Sequence, residues 1–160
     1  SQLQTVLLGS QIKNIGTKAF SDCQQLRTIY LPETVKKICP EAFYNCSHLK
    51  ELRIPDSVHI FDMNALAYCD ELSTLIFGPN IAGITPLKDN QYLCPTIYVP
   101  RDKVDAYCKL GLESMREDVH SIEEMEQESF DELMDWFVHW QLSQDRDDLP
   151  THDDTVRHEE

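Results

Sequence analysis

Glycine is scarce in this sequence, with five residues in a chain of 160, and the common catalytic motifs are missing with it. There is no G-x-G-x-x-G fingerprint and no Walker-type phosphate loop, both of which need glycines where the backbone approaches a phosphate. A G-x-S-x-G nucleophile elbow and an H-E-x-x-H metal motif are also absent. The sequence therefore predicts a protein that is not an enzyme and that uses no cofactor and no metal.

Long apolar runs are lacking too. No stretch approaches the roughly 20 apolar residues that a membrane-spanning helix needs, so we expect no membrane insertion. Residues 1–5 have neither a basic start nor an apolar segment, and no secretory signal peptide is visible. The six cysteines lack the C-x-x-C pairs that are typical of zinc sites.

Basic residues are nearly missing from the C-terminal part of the chain. The net charge is −14, and residues 113–160 hold three arginines against 17 aspartates and glutamates, whereas residues 1–112 are balanced at 11 of each sign. The chain is therefore a neutral region followed by an acidic one. An acidic segment repels phosphates and anionic lipids, so we expect no nucleic-acid partner.

What the sequence does contain is a repeat of about 23 residues, a period in the range that indicates stacked structural units. Shifting the chain by this period aligns apolar residues in columns, among them Leu3, Leu26, Leu49 and Leu72. Further columns are Val6/Ile29/Leu52/Leu75, Leu8/Leu31/Ile54/Phe77, Ile12/Val35/Val58/Ile81, Ile15/Ile38/Phe61/Ile84 and Cys23/Cys46/Cys69. A period of about 20 to 29 residues with the spacing L-x-x-L-x-L is typical of leucine-rich repeats.

Each unit of the repeat predicts a short strand and an outer segment. Ile29 and Leu31 are two residues apart and share one face of a strand, which Pro32 ends because proline lacks a backbone donor. Residues 42–49 have roughly helical spacing, which predicts a turn of helix on the outer side. One unit cannot bury its apolar face alone, so we expect an α/β repeat solenoid, a right-handed leucine-rich-repeat coil with short parallel strands. The cysteine column predicts a ladder of small buried side chains.

The motif A-F-x-x-C-x-x-L-x-x-I-x-I-P runs through these units. One copy reads Ala19-Phe20-Ser21-Asp22-Cys23-Gln24-Gln25-Leu26 and continues to Ile29-Tyr30-Leu31-Pro32. With this motif, residues 3 to about 124 resemble BspA-type leucine-rich repeats. The third unit departs from the pattern at residues 61–66, and the fourth lacks the A-F and cysteine columns. The resemblance implies protein binding, as in adhesion proteins of microbial surfaces, and a cell-surface or secreted location if a signal peptide lies upstream.

The repeats occupy residues 1–95, and residues 96–124 resemble the C-terminal cap of BspA-type proteins. We expect a strand over 96–100, a helix over about 103–110 that Asp102 caps and Gly111 ends, and a final strand from Val119. The inner face of that helix would carry Val104, Tyr107 and Cys108. A cap is needed because the last repeat would otherwise expose its core.

Residues 125–144 predict an acidic amphipathic helix outside the repeat pattern. Ser129 and Glu132 form a capping box, and apolar residues then follow at helical spacing. Two interpretations stay open: the helix packs back on the repeats, or it lays its apolar face into a partner's groove, self-association included. Residues 145–160 are polar and charged, which predicts disorder.

The residues between the buried ones of each strand face the open side of the sheet. They include a row with one member from each strand: Leu7, Tyr30, Arg53, Ile76 and Tyr98. Tyrosine and arginine are over-represented at interface hot spots, although a solvated sheet face is the plainer interpretation. The candidate partner-binding residues are therefore Tyr30, Arg53, Ile76 and Tyr98 on the sheet, with Phe130, Leu133, Phe137 and Trp140 on the C-terminal helix.

Three functions are consistent with these patterns. The leading hypothesis is a non-catalytic protein-binding module of adhesion type that uses the sheet face, the C-terminal helix or both. The alternative is an intracellular regulator or inhibitor whose acidic tail engages a basic partner. A third is an accessory domain of an enzyme. A signal peptide upstream of Ser1 would favour adhesion.

Overall fold

Within the described residues of the computed structural model, which are 4–88, 93, 95–124, 135, 137–139 and 142, ten short strands follow the repeat. They are β1 (Thr5–Leu7), β2 (Asn14–Ile15), β3 (Thr28–Tyr30), β4 (Lys37–Ile38), β5 (Glu51–Ile54), β6 (Ile60–Asp62), β7 (Thr74–Phe77), β8 (Gly83–Thr85), β9 (Thr96–Val99) and β10 (Val119–Ser121). One α-helical turn, α1, spans Val104–Tyr107. No helix in this part of the chain has the length and apolarity to cross a membrane.

Odd-numbered strands and β10 pair in parallel along one side of the molecule. β1 pairs with β3, and β5, β7, β9 and β10 follow one another in a four-stranded sheet. The register keeps the period, because Val6 lies opposite Ile29 and Leu52 opposite Leu75. Between the two groups, the Lys50 N–H donates to the Arg27 carbonyl at 3.4 Å. We call this side the first sheet. The expected strands at each L-x-x-L-x-L position are confirmed, and parallel strands stacked at one period form a repeat fold.

A second parallel sheet was not expected from the sequence. It consists of β2, β4, β6 and β8, with Asn14 opposite Lys37, Lys37 opposite Ile60, and Ile60 opposite Gly83. These strands have two or three residues, too few to show an alternating pattern. Their only signal is the inward column that the period aligns, and each member of it is buried: Ile15, Ile38, Phe61 and Ile84.

The predicted turn of helix over residues 42–49, in the outer segment of the repeat, is wrong. Among the described repeats, only the third unit has a short helix there, a 3-10 turn over Met63–Leu66. In the second unit, the Phe43 and Asn45 N–H groups donate to the Ala65 and Ala67 carbonyls at 3.0 and 2.8 Å. Because these donors bond to the next repeat, they cannot close helical bonds within their own.

Left-handed backbone makes these outer turns possible. Positive φ angles recur at the period, first at Lys18 and Glu41, and then at Asp22, Asn45 and Tyr68. The third unit lacks the first of these two positions, since Asn64 stands there within the 3-10 turn. Its buried side chain donates to the Pro86 carbonyl at 2.9 Å and accepts the Lys88 N–H at 2.9 Å. Asn64, at which this unit departs from the motif, therefore fixes the backbone of residues 86–88 through its side chain.

The cysteine column is confirmed as a ladder of buried side chains. Cys23, Cys46 and Cys69 are at most 5% exposed. The thiol of Cys46 donates to the Phe20 carbonyl at 3.1 Å, and that of Cys69 to the Phe43 carbonyl at 3.2 Å. Burial raises the pKa of the Cys46 thiol far above its ordinary value and the pKa of the Cys69 thiol to about 12. These thiols are therefore neutral structural groups.

The predicted cap segment keeps its strands but not its single helix. β9 and β10 pair in parallel at the end of the first sheet. Between them, the expected helix over 103–110 is a series of short turns: a 3-10 turn at Arg101–Lys103, α1, a π-helical turn at Cys108–Leu112 and a 3-10 helix at Glu113–Asp118. The cap residue before α1 is Lys103, with no side-chain cap bond, so the prediction for Asp102 is wrong.

Close packing against the last repeat accounts for these irregular turns. A Cβ on Gly111 would lie 2.2 Å from the Ile84 carbonyl oxygen, so only glycine fits there. The Tyr107 side chain is 1% exposed, and its hydroxyl donates to the Gly78 carbonyl at 2.7 Å. The same hydroxyl accepts the Ile81 N–H at 3.2 Å. Tyr107 and Cys108 are buried as predicted, and Val104 packs partly buried against the core.

We expect Tyr107→Phe to lower the free energy of unfolding by about 1–3 kcal/mol, because it leaves a buried donor and acceptor unsatisfied. Urea unfolding of the full chain measures this loss. Tyr68→Phe is the matched control, since Tyr68 is 40% exposed, and it should change stability little. Equal effects of the two substitutions would show that the hydroxyl bonds do not matter.

Because burial raises the pKa of the ladder thiols, the free energy of unfolding should depend on pH in the alkaline range. The unfolded thiol has the ordinary pKa of 9.0 and the folded Cys69 thiol a pKa of about 12. The unfolded chain therefore loses this proton first, and the free energy of unfolding should fall as pH rises from about 9 towards 12. The double variant Cys46→Ala, Cys69→Ala should show a shallower fall in urea unfolding over this range. A fall as steep as in the wild type would contradict the assignment.

Candidate functional site

One row of side chains crosses the open face of the first sheet. Strand pairing places Leu7 opposite Tyr30, Arg53 opposite Ile76, and Ile76 opposite Tyr98. All of these side chains are half-buried, and so is His120, which lies opposite Tyr98. At about 4.8 Å per strand, six residues span about 24 Å. We call this set the sheet-face row: Leu7, Tyr30, Arg53, Ile76, Tyr98 and His120.

Arg53 lies at the centre of the row and is held by two carboxylates. Its guanidinium contacts Glu33 Oε1 at 2.8 Å through Nη1 and Asp56 Oδ1 at 3.1 Å through Nη2. The Arg53 side chain is 13% exposed. Glu33 and Asp56 occupy the same position in successive repeats. Neither residue was predicted as part of the site, although the period aligns them.

Tyr30 lies one repeat before Arg53 and presents a neutral ring. Its phenol is half-buried, and burial raises its pKa, with a further rise from the negative charge of Glu51. At the other end of the row, the Tyr98 and His120 rings are 6.4 Å apart. His120 Nδ1 lies 3.1 Å from Glu124 Oε2. His120 was also missed, because it lies in the last strand, beyond the repeats that the period aligns.

Two residues of the predicted C-terminal helix lie on this row. Arg53 Cζ is 5.1 Å from the centroid of the Phe137 ring. The His139 ring stacks on the Tyr30 ring, with centroids 6.4 Å apart and planes 22° apart. Residues 135, 137–139 and 142 have helical backbone, and His139 Nδ1 lies 2.9 Å from the Asp135 carbonyl oxygen. Phe130, Leu133 and Trp140 of the predicted apolar face lie outside the described residues.

The chemistry of the row suits contact with another side chain. It offers aromatic faces, an aliphatic side chain and a guanidinium whose two terminal nitrogens already bind carboxylates. Among the residues that the structure describes, no group of three histidines, cysteines, aspartates or glutamates is placed to hold a metal ion. Arg27 and Lys50 are exposed and occupy one position of the repeat, three residues before Tyr30 and Arg53.

Comparison with known families agrees with the repeat pattern. The family model described as BspA type Leucine rich repeat region (6 copies) matches residues 1–88, which is more than half of the chain. The chain therefore belongs to the BspA-type leucine-rich repeat family. Such repeats generally have no catalytic role, and membership suggests a protein-binding or adhesion-type module.

The match ends before the predicted cap, so residues 89–160 lie outside the matched region. No curated protein and no solved structure gave a significant match to the chain.

The carboxylates at Arg53 lead to a stability prediction. Arg53→Ala leaves Glu33 and Asp56 without their shared cation. Since both carboxylates are more than a third exposed, solvent weakens the effect, and we expect a loss of about 1 kcal/mol in the free energy of unfolding. The loss should shrink in high salt. Arg101→Ala is the control, because that side chain is 75% exposed and 3.9 Å from Glu123. Equal melting temperatures for the two variants would contradict a bridging role.

Proposed function

We propose that this chain is a non-catalytic protein-binding module that binds its partner through the sheet-face row. In this proposal the repeats form a right-handed solenoid over residues 1–95, and residues 96–124 cap its end. The observation that supports the proposal is the row itself: Tyr30, Arg53, Ile76 and Tyr98 align along one face of the first sheet.

The side chains of the row favour a protein partner. Tyrosine and arginine give large contact areas, and they dominate the energetics of many interfaces. Glu33 and Asp56 fix the guanidinium of Arg53, so less side-chain entropy is lost when a partner packs against it. A row of about 24 Å fits a single extended or helical segment. Adhesion to a surface protein is one role of this kind, and the family supports it.

The experiment compares matched substitutions on and away from the row. Ile76→Ala and Tyr98→Ala change the sheet-face row. Ile60→Ala and Tyr68→Ala are their controls, because Ile60 is 65% and Tyr68 40% exposed away from the row. The full-length wild type and the four variants are immobilised, and proteins captured from an extract of the source cells are quantified. The affinity of each purified candidate is then measured.

A true partner should bind the wild type and both controls equally. Its affinity should fall about tenfold or more with either row variant, which corresponds to about 1.4 kcal/mol. The proposal fails if every candidate that binds the wild type binds the row variants with unchanged affinity.

A further inference from the structure

Residues from the C-terminal part of the same chain contact the sheet-face row in the way that a bound ligand would. Phe137 packs against the guanidinium of Arg53, and His139 stacks on the ring of Tyr30. Arg53 and Tyr30 are one repeat apart, so the two contacts lie on neighbouring strands. The half-buried Phe137 faces the row, whereas Val138 and Leu142 are 49% and 50% exposed.

The geometry at Arg53 accounts for the choice of an aromatic ring. Carboxylates of Glu33 and Asp56 contact the terminal nitrogens at 2.8 and 3.1 Å. The Phe137 ring near the guanidinium carbon adds a cation–π contact while both ion pairs are kept. Tyr30 adds a second aromatic surface, and burial raises the pKa of its phenol further above neutrality. Arg53 and Tyr30 together form a contact site, which we call the seat. It accepts an aromatic ring and an imidazole two residues further along the chain.

Chain connectivity allows this segment to reach the seat of its own molecule. Glu124 lies 3.1 Å from His120, which places it at the C-terminal end of the row. Residues 125–134 separate it from Asp135, and ten residues span up to about 35 Å. Arg53 lies three strands from His120, or about 15 Å away. A tether this short gives an effective concentration in the mM range, so weak contacts suffice to hold the segment.

Charge favours the same arrangement. Arg27 and Lys50 are exposed three residues before Tyr30 and Arg53, and Asp135 of the seated segment is exposed as well. The sequence after residue 112 carries the whole net charge of −14. Opposite charges attract over about a Debye length, roughly 10 Å at 0.1 M salt, so low salt should favour the contact.

We propose that the segment bearing Phe137 and His139 is an internal occupant of the sheet-face row, bound in cis at Tyr30 and Arg53. An external partner must displace this segment, and the partner that fits the seat is an acidic helical segment with an exposed aromatic ring. The second statement depends on the proposed function, whereas the first does not.

Tryptophan fluorescence of the full chain tests the cis contact without any partner. Both tryptophans of the chain, Trp136 and Trp140, belong to this stretch of sequence. Their quenching by acrylamide should be weaker than in the urea-unfolded chain. Tyr30→Ala, Arg53→Ala and Phe137→Ala should remove this protection, whereas Tyr68→Ala and Arg101→Ala should keep it. Circular dichroism checks that the repeats remain folded in each variant. Phe137 lies outside the repeats, so its substitution should not disturb their folding.

Two outcomes of this experiment would overturn the proposal. One is equal quenching in the wild type and in the Phe137→Ala variant, which would show that the segment is not seated. The other is protection that disappears on dilution, which would show that a second copy supplies the segment.

Competition tests the displacement. A fluorescein-labelled synthetic peptide of residues 129–142 is titrated with full-length wild type and with Phe137→Ala. The variant, whose own segment is weakened, should bind the peptide about tenfold more tightly, and adding Tyr30→Ala should abolish that gain. Equal affinities of the wild type and the Phe137→Ala variant would exclude an internal competitor. The two proposals can fail separately. If the tryptophans are protected but the row binds no partner, the proposed function is contradicted and the cis contact is still supported.

Discussion

Each repeat of this protein depends on its neighbour to satisfy the hydrogen bonds of its own backbone. The Phe20 N–H donates to the Ala42 carbonyl at 2.8 Å, and the Phe43 N–H donates to Ala65 at 3.0 Å. Side chains follow the same rule, since Thr34, Ser57 and Asn80 each donate to a carbonyl of the preceding repeat. A buried polar group without a partner is costly, so the period of the repeat is under strong constraint.

The same constraint produces the candidate site. Because equivalent positions stack, two acidic residues one period apart converge on Arg53, and one open face collects tyrosine, arginine and isoleucine. Two residues of this half-buried row, Arg53 and Tyr30, then contact Phe137 and His139. At residues 86–88, after the strand β8, the side chain of Asn64 bonds to the Pro86 carbonyl and the Lys88 N–H. The proposed binding function and the fold therefore have one physical origin.

Periodicity predicted the parts of the structure that repeat. The strands of the first sheet, the buried cysteines and the row from Leu7 to Tyr98 all follow from moving along the chain one repeat at a time. Periodicity could not predict the second sheet, because strands of so few residues carry too little pattern. It also suggested helix over 42–49, where backbone donors instead bond across repeats. Near the C-terminal end, Tyr107 and Gly111 fit against one particular repeat, and a contact of that kind leaves no periodic trace in the sequence.

The most direct test of the proposed internal occupant of the sheet-face row is the contact between the Tyr30 and His139 rings in solution. Nuclear Overhauser effects between ring protons of the isotope-labelled full chain measure it. The stacked rings of Phe20 and Phe43, 5.6 Å apart, serve as the internal reference. We expect cross-peaks for both pairs at every protein concentration. Cross-peaks for Phe20 and Phe43 without any for Tyr30 and His139 would contradict the account.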